Sequence, residues 1–151
     1  RCSMTRATLL ALAERVEAAT GADRALAKDI YRALFDAPEL GHPNGYGWRE
    51  DDSGWWLATG EDARTPPKTI YPPKWLTSLD AAMSLVPSGC LFMVRTLWDD
   101  GKTSGYAVIQ HYEPTETQGL RYDGESVAIA ATPALALTAA ALRCYCMEYD
   151  R

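Results

Sequence analysis

The segment Asp99-Asp100-Gly101-Lys102 constrains the fold of this chain more than any other. It separates two runs rich in strand-forming residues, 91–98 and 105–112, and its Asp and Gly residues supply the backbone conformations of a tight turn. The pattern predicts an antiparallel hairpin. In the second run Ala107, Ile109 and His111 alternate with Tyr106, Val108, Gln110 and Tyr112. The latter set is apolar enough that both faces of the strand are expected to be at least partly covered. A third strand is expected at 126–130, beyond a polar loop at 113–119.

Helices are expected on either side of these strands. Thr132-Pro133 places a capping hydroxyl and a first-turn proline at the start of a final helix, 133–148. Leu135, Ala139, Leu142 and Cys146 line one of its faces, and Ala140 and Ala141 keep it thin enough to lie close on a sheet. Thr77 followed by Asp80 is a short capping box for a helix over 77–86, with Leu79, Ala82, Met83 and Val86 as its buried stripe. Pro87 and Gly89 stop it. The order from residue 77 is therefore helix, strand, strand, strand, helix.

Two more helices precede this unit. Leu9, Leu12, Ala13 and Val16 recur at helical spacing over 5–20, which Gly21 is placed to end. Asp23 can cap a second helix whose stripe is Leu26, Ile30 and Leu34. The short linker predicts an antiparallel helical hairpin. Glu14, Arg15, Glu17, Lys28, Asp29 and Arg32 lie off the stripes and read as a solvated face.

Between these parts, residues 36–73 are punctuated by Gly and Pro and carry Tyr46, Trp48, Trp55, Trp56 and Tyr71. Residues 46–50 and 55–59 can pair as a small hairpin. Two readings stand: an ordered wrap whose Trp residues plug the edge of the core, which is preferred, or a recognition loop. The expected organisation is one compact α+β domain. It comprises an N-terminal helical hairpin (1–35), a Pro/Gly/Trp-rich segment (36–74) and a core (75–151) with a small antiparallel sheet flanked by helices, an α-β-β-β-α sandwich.

Composition excludes several functions. The net charge is −5 and the 15 basic residues are scattered, whereas a duplex nucleic-acid binder gathers its cations on one face. A small basic pocket for one nucleotide stays compatible. No apolar run reaches the ~18 residues of a membrane span, and no leader pattern opens the chain, so a cytoplasmic location is expected. Arg1 to Ser3 read as foreign to the natural chain, with Met4 as its start. Cys2, Cys90, Cys144 and Cys146 form no CxxC pair, and His42 and His111 have no Cys or His beside them in sequence. Reduced thiols without metal or cofactor are the expectation.

Chemical motifs are equally sparse. Ser88-Gly89 lacks the flanking residues of a nucleophile elbow, and no phosphate-cradling fingerprint occurs. Glu50-Asp51-Asp52 and Glu61-Asp62 read as solvated turns, and His111 as a partly buried strand histidine rather than an acid–base group. No catalytic residue is expected. Binding is better supported: Arg95 on the first strand with Tyr106, Gln110 and Tyr112 on the second can share a sheet face, and Arg121 with Tyr122 can close over it. Rings that stack on a base beside a guanidinium that pairs a phosphate make a nucleotide site. The competing reading is that these residues merely cover the sheet, with the final helix packed on them. Trp48, Trp55 and Trp56 are the candidates for an exposed protein-binding patch.

At Trp75-Leu76-Thr77-Ser78-Leu79-Asp80-Ala81-Ala82-Met83-Ser84-Leu85-Val86-Pro87, and at Ala131-Thr132-Pro133-Ala134-Leu135-Ala136-Leu137, the chain resembles small phage and prophage proteins with the phage ABA sandwich domain. The resemblance covers about the last eighty residues and rests on two structural motifs. Trp75-Leu76 stands where the group more commonly has Tyr-Thr, and the Trp-rich insert is additional. The resemblance implies a phage origin, a sheet flanked by helices and residence in the cytoplasm of an infected bacterium. By analogy with other phage accessory proteins, it suggests anti-defence activity. The ligand is then a cyclic nucleotide immune signal that the protein sequesters. The alternatives are a host defence protein that it blocks, or a structural role in virion assembly. Homo-oligomerisation is expected, the N-terminal hairpin being able to bury its stripe within its own chain or against a second copy.

Overall fold

The computed structural model describes residues 5–34, 46–51, 54–59, 68–70, 72–117 and 119–148. In the three strands between residues 46 and 70 only the backbone is described. The first helix, α1 (Arg6–Ala18), begins at Thr5, whose side chain accepts from the Thr8 N–H. It ends at Ala19 in an extended conformation, two residues before the expected Gly21. The second helix, α2 (Arg24–Leu34), is capped as expected: Asp23 Oδ1 accepts from the Leu26 N–H at 2.9 Å. Three strands follow, β1 (Tyr46–Asp51), β2 (Gly54–Thr59) and β3 (Lys68–Ile70), in a first antiparallel sheet of that order.

The third helix, α3, is shorter than its periodicity predicts, Leu79–Met83 rather than 77–86. Ser78, not Thr77, is its cap, accepting from the Ala81 N–H at 3.3 Å. Ala82 and Leu85 enter the core, while Leu79 and Met83, expected in the buried stripe, are exposed.

A second sheet contains β4 (Cys90–Asp99), β5 (Lys102–Pro114) and β6 (Leu120–Ala130), antiparallel with β5 central. The Asp100-Gly101 turn has positive φ at both residues, +48° and +76°, the conformation that matches the twist of a two-residue hairpin. β6 starts six residues earlier than the expected strand at 126, because its polar first half pairs along the end of β5. The last helix, α4 (Pro133–Glu148), begins as expected, with Thr132 Oγ1 accepting from the Leu135 N–H.

α4 is the centre of the molecule. Every residue from 134 to 142 is buried, so the helix is enclosed all round rather than along one stripe. One side lies on β5 and β6, the other against α1 and α3. Small residues permit the close approach: Ala107, Ala128 and Ala130 on the sheet meet an alanine-rich helix. A Cβ at Gly105 would collide with the Thr132 carbonyl at the helix entry. Two polar groups anchor the helix: Ser126 Oγ donates to the Ala140 carbonyl, and Thr138 Oγ1 to the Trp75 carbonyl. Trp75 is fully buried and stacks on Tyr31. The expected small antiparallel sheet with helices and added N-terminal helices is therefore what the chain forms. The solvated face of α1 and α2 is qualified by two ion pairs, Arg15 with Asp29 and the bidentate Arg143 with Glu17. Glu17 is the first cause of the raised pKa of Arg143. No helix among the described residues is long and apolar enough to cross a membrane.

Candidate functional site

The turn at Asp100-Gly101 fixes which side chains share a face of the second sheet. Cys90, Phe92, Val94, Ala107, Ile109 and His111 alternate onto the side that carries α4. Leu91, Met93, Arg95, Tyr106, Val108, Gln110 and Tyr112 alternate onto the other, joined from β6 by Glu125, Val127 and Ile129. The expectation that the final helix packs over Tyr106, Gln110 and Tyr112 is thus corrected. α4 lies on the opposite face, where Gly and Ala let it come close.

The outer face has a definite arrangement. Arg95 lies directly opposite Tyr106, and its guanidinium sits 4.6 Å from the Tyr106 ring centroid, a cation–π contact. Tyr112 donates to Gln110 Oε1 at 3.3 Å and meets Tyr122 edge-on at 5.9 Å between centroids. The structure therefore brings Arg95, Tyr106, Gln110 and Tyr112 together. Arg121 is not among them: it pairs with Glu113 at 2.9 Å, one step out of phase with Tyr122 along β6. The Tyr122 pKa is raised, by desolvation first and then by the Glu125 carboxylate.

Coverage of this face is uneven. Val108 on the central strand is buried by its neighbours, but Leu91, Met93 and Ile129 are 61, 52 and 55% exposed. Leu91 and Met93 alternate along β4 and Ile129 stands across β5 from them, so three large apolar side chains are exposed on the face that carries the Arg95–Tyr106 stack. The candidates Trp48, Trp55 and Trp56 stand opposite Leu57, Glu50 and Arg49 in the β1–β2 register, and their side chains lie outside the described residues. A cleft of about 310 Å³ lies elsewhere, between the start of α2 and the segment before α3, lined by Arg24, Ala27, Pro73, Lys74 and Leu76. It is open and mostly apolar.

The inner face holds a cluster that residue spacing concealed. Cys90 is directly opposite His111 across the hairpin, and Cys144 descends from α4 onto the same imidazole. Cys90 Sγ is 3.5 Å from His111 Nδ1, Cys144 Sγ contacts Nε2, and all three ligand atoms lie within 4.8 Å of one another. His111 and Cys144 are buried, and Cys90 is half-buried. None of the three described cysteines forms a disulfide. The expectation that His111 lacks cysteine neighbours is corrected here, because the fold supplies two from distant elements. The hairpin half of this cluster was deducible: a two-residue turn at Asp100-Gly101 pairs Asp99 with Lys102 and so sets Cys90 against His111.

No protein-family model matches the chain, and no curated protein or solved structure matches it either.

Proposed function

We propose that this protein is a non-catalytic binder that engages a protein partner through the outer face of its second sheet. The observation that carries this reading is the exposure of Leu91, Met93 and Ile129 around the Arg95–Tyr106 stack. Arginine and aromatic side chains in an apolar surround are the residue types that anchor protein interfaces. The resemblance to phage ABA sandwich proteins supports a phage-encoded accessory role, in which the partner is a host or defence protein and binding blocks it.

Geometry weighs against a sequestered nucleotide at this face. A nucleotide sponge encloses its ligand, whereas Leu91, Met93 and Ile129 on this face are each more than half exposed. Arg95 also occupies a face of the Tyr106 ring that a base would stack on.

The test compares the tagged full chain with Met93→Lys/Ile129→Lys, each recovered from the bacterial host after crosslinking. Recovery of one identified protein by the wild type, binding directly as a purified pair and lost in the double variant, is the expected result. An unchanged partner in the variant contradicts the assignment of the face. Native mass spectrometry with cyclic nucleotides separates the alternative: a one-ligand mass shift abolished by Arg95→Ala favours sequestration over protein blocking. A doubled chain mass that the double variant halves assigns the face to a second copy.

A further inference from the structure

We propose that Cys90, His111 and Cys144 form a binding site for a single zinc ion. The three groups come from three separate elements, β4, β5 and α4, and converge at the inner face of the sheet. Two sulfurs and one imidazole nitrogen form a soft donor set that suits zinc and excludes magnesium and calcium, which take oxygen. The spacing is close. With Zn–S near 2.3 Å and Zn–N near 2.0 Å, the edges of a tetrahedral site are about 3.5–3.8 Å long. Both sulfurs approach His111 Nε2, Cys90 Sγ at 4.0 Å and Cys144 Sγ in contact, and the whole cluster lies within 4.8 Å, so a tetrahedral site needs Cys90 to close in by about 0.5 Å and Cys144 to draw back.

The surroundings support the same assignment. A buried imidazole normally finds oxygen or nitrogen partners, because thiols are weak donors and weak acceptors. Here the ring of His111 faces sulfur, and a single zinc ion would take Nε2, the nitrogen that both sulfurs approach. Gly124 stands opposite His111 on β6 with φ +137°, so no β6 side chain occupies that register position. A Cβ there would meet the Met147 methyl at 2.8 Å. Met147 is three residues beyond Cys144 and so shares its side of α4. The ion would thus be shielded by a soft thioether-bearing residue on the helix side and reached from solvent at half-buried Cys90. Three protein ligands leave a fourth position for water, as in sites that are not purely structural.

Binding replaces two thiol protons with one cation, so affinity falls as pH falls. Occupancy would tie the hairpin to α4, joining the sheet to its helical layer.

The experiment uses the chelator-stripped full chain with Cys2→Ser, which removes the thiol nearest the chain start. Cobalt(II) is titrated in and followed by thiolate-to-cobalt charge-transfer absorption, then displaced by zinc(II). One equivalent per chain is expected, with the absorption lost on zinc addition. Cys90→Ser, at the rim of the cluster, should weaken binding at least about tenfold, while Cys146→Ser should leave it unchanged. Cys146 is the matched control because its thiol donates to the Leu142 carbonyl instead. Absence of charge-transfer absorption in the parent chain overturns the proposal. Equal binding in Cys90→Ser, or an equal loss in Cys146→Ser, does so as well.

Discussion

The two faces of the second sheet are built from the same strands and differ in almost every physical respect. On the inner face Gly105, Ala107, Ala128 and Ala130 keep the sheet low beside the larger Phe92 and Ile109, and α4 comes close enough to bury a nine-residue stretch, 134–142, on all sides. On the outer face the same strands carry Leu91, Met93, Tyr106, Val127 and Ile129, bulkier side chains that stand without a described helix over them. The lesson concerns size as much as hydrophobicity. A helix docks where the sheet is smooth, and the bulkier apolar face stays exposed at Leu91, Met93 and Ile129.

Two isoleucines one strand apart give the sharpest contrast. Ile109→Ala, on the inner face, should destabilise the protein by about 2–5 kcal/mol in urea unfolding, from lost transfer energy and an unfilled cavity. Ile129→Ala, on the outer face, should cost no more than about 0.5 kcal/mol. Equal costs would dissolve the distinction between the faces. Gly105→Ala ranks next, at about 1–3 kcal/mol or more, because the added methyl meets the Thr132 backbone and α4 must shift. Proteolysis should then cut more readily near the start of α4.

Smaller effects test the edges of the same picture. Arg143 and Glu17 tie α4 to α1 through a half-buried bidentate pair. Glu17→Gln should cost about 1 kcal/mol, measured by thermal unfolding, and less in high salt. The Tyr122 phenol should titrate above its ordinary value of 10.0 in ultraviolet absorption, and Glu125→Gln should bring the midpoint back toward it. No return on that substitution would show that the carboxylate does not act on the outer face.

What was legible in the sequence follows from how local each signal is. The Asp100-Gly101 turn and the Thr132-Pro133 helix start act over three or four residues, and both elements form where expected. The Asp23 cap is similar. At α3 two adjacent hydroxyls, Thr77 and Ser78, both read as caps; the helix starts from the second, and Leu79 and Met83 are exposed. The extension of β6 back to Leu120 depends on pairing with β5, which a polar stretch does not announce.

The candidate site divides in the same way. Arg95 opposite Tyr106 and Cys90 opposite His111 both follow from counting outward from the turn. Cys144 does not, because its approach to His111 depends on where along the sheet α4 docks and how it is rotated. Arg121 reads as part of the outer group until the bulge between His111 and Tyr112, where the register shifts and it is set beside Glu113 instead. Spacing along one chain carries pairwise register well and the placement of a third element poorly.

Whether Met93 and Ile129 lie outside the core is tested most directly by the thermal unfolding of Met93→Lys/Ile129→Lys. Surface substitutions change stability little, so a melting temperature within about 2–4 °C of the parent chain is expected. A drop of tens of degrees, or loss of cooperative unfolding, would contradict this and place these side chains in the core.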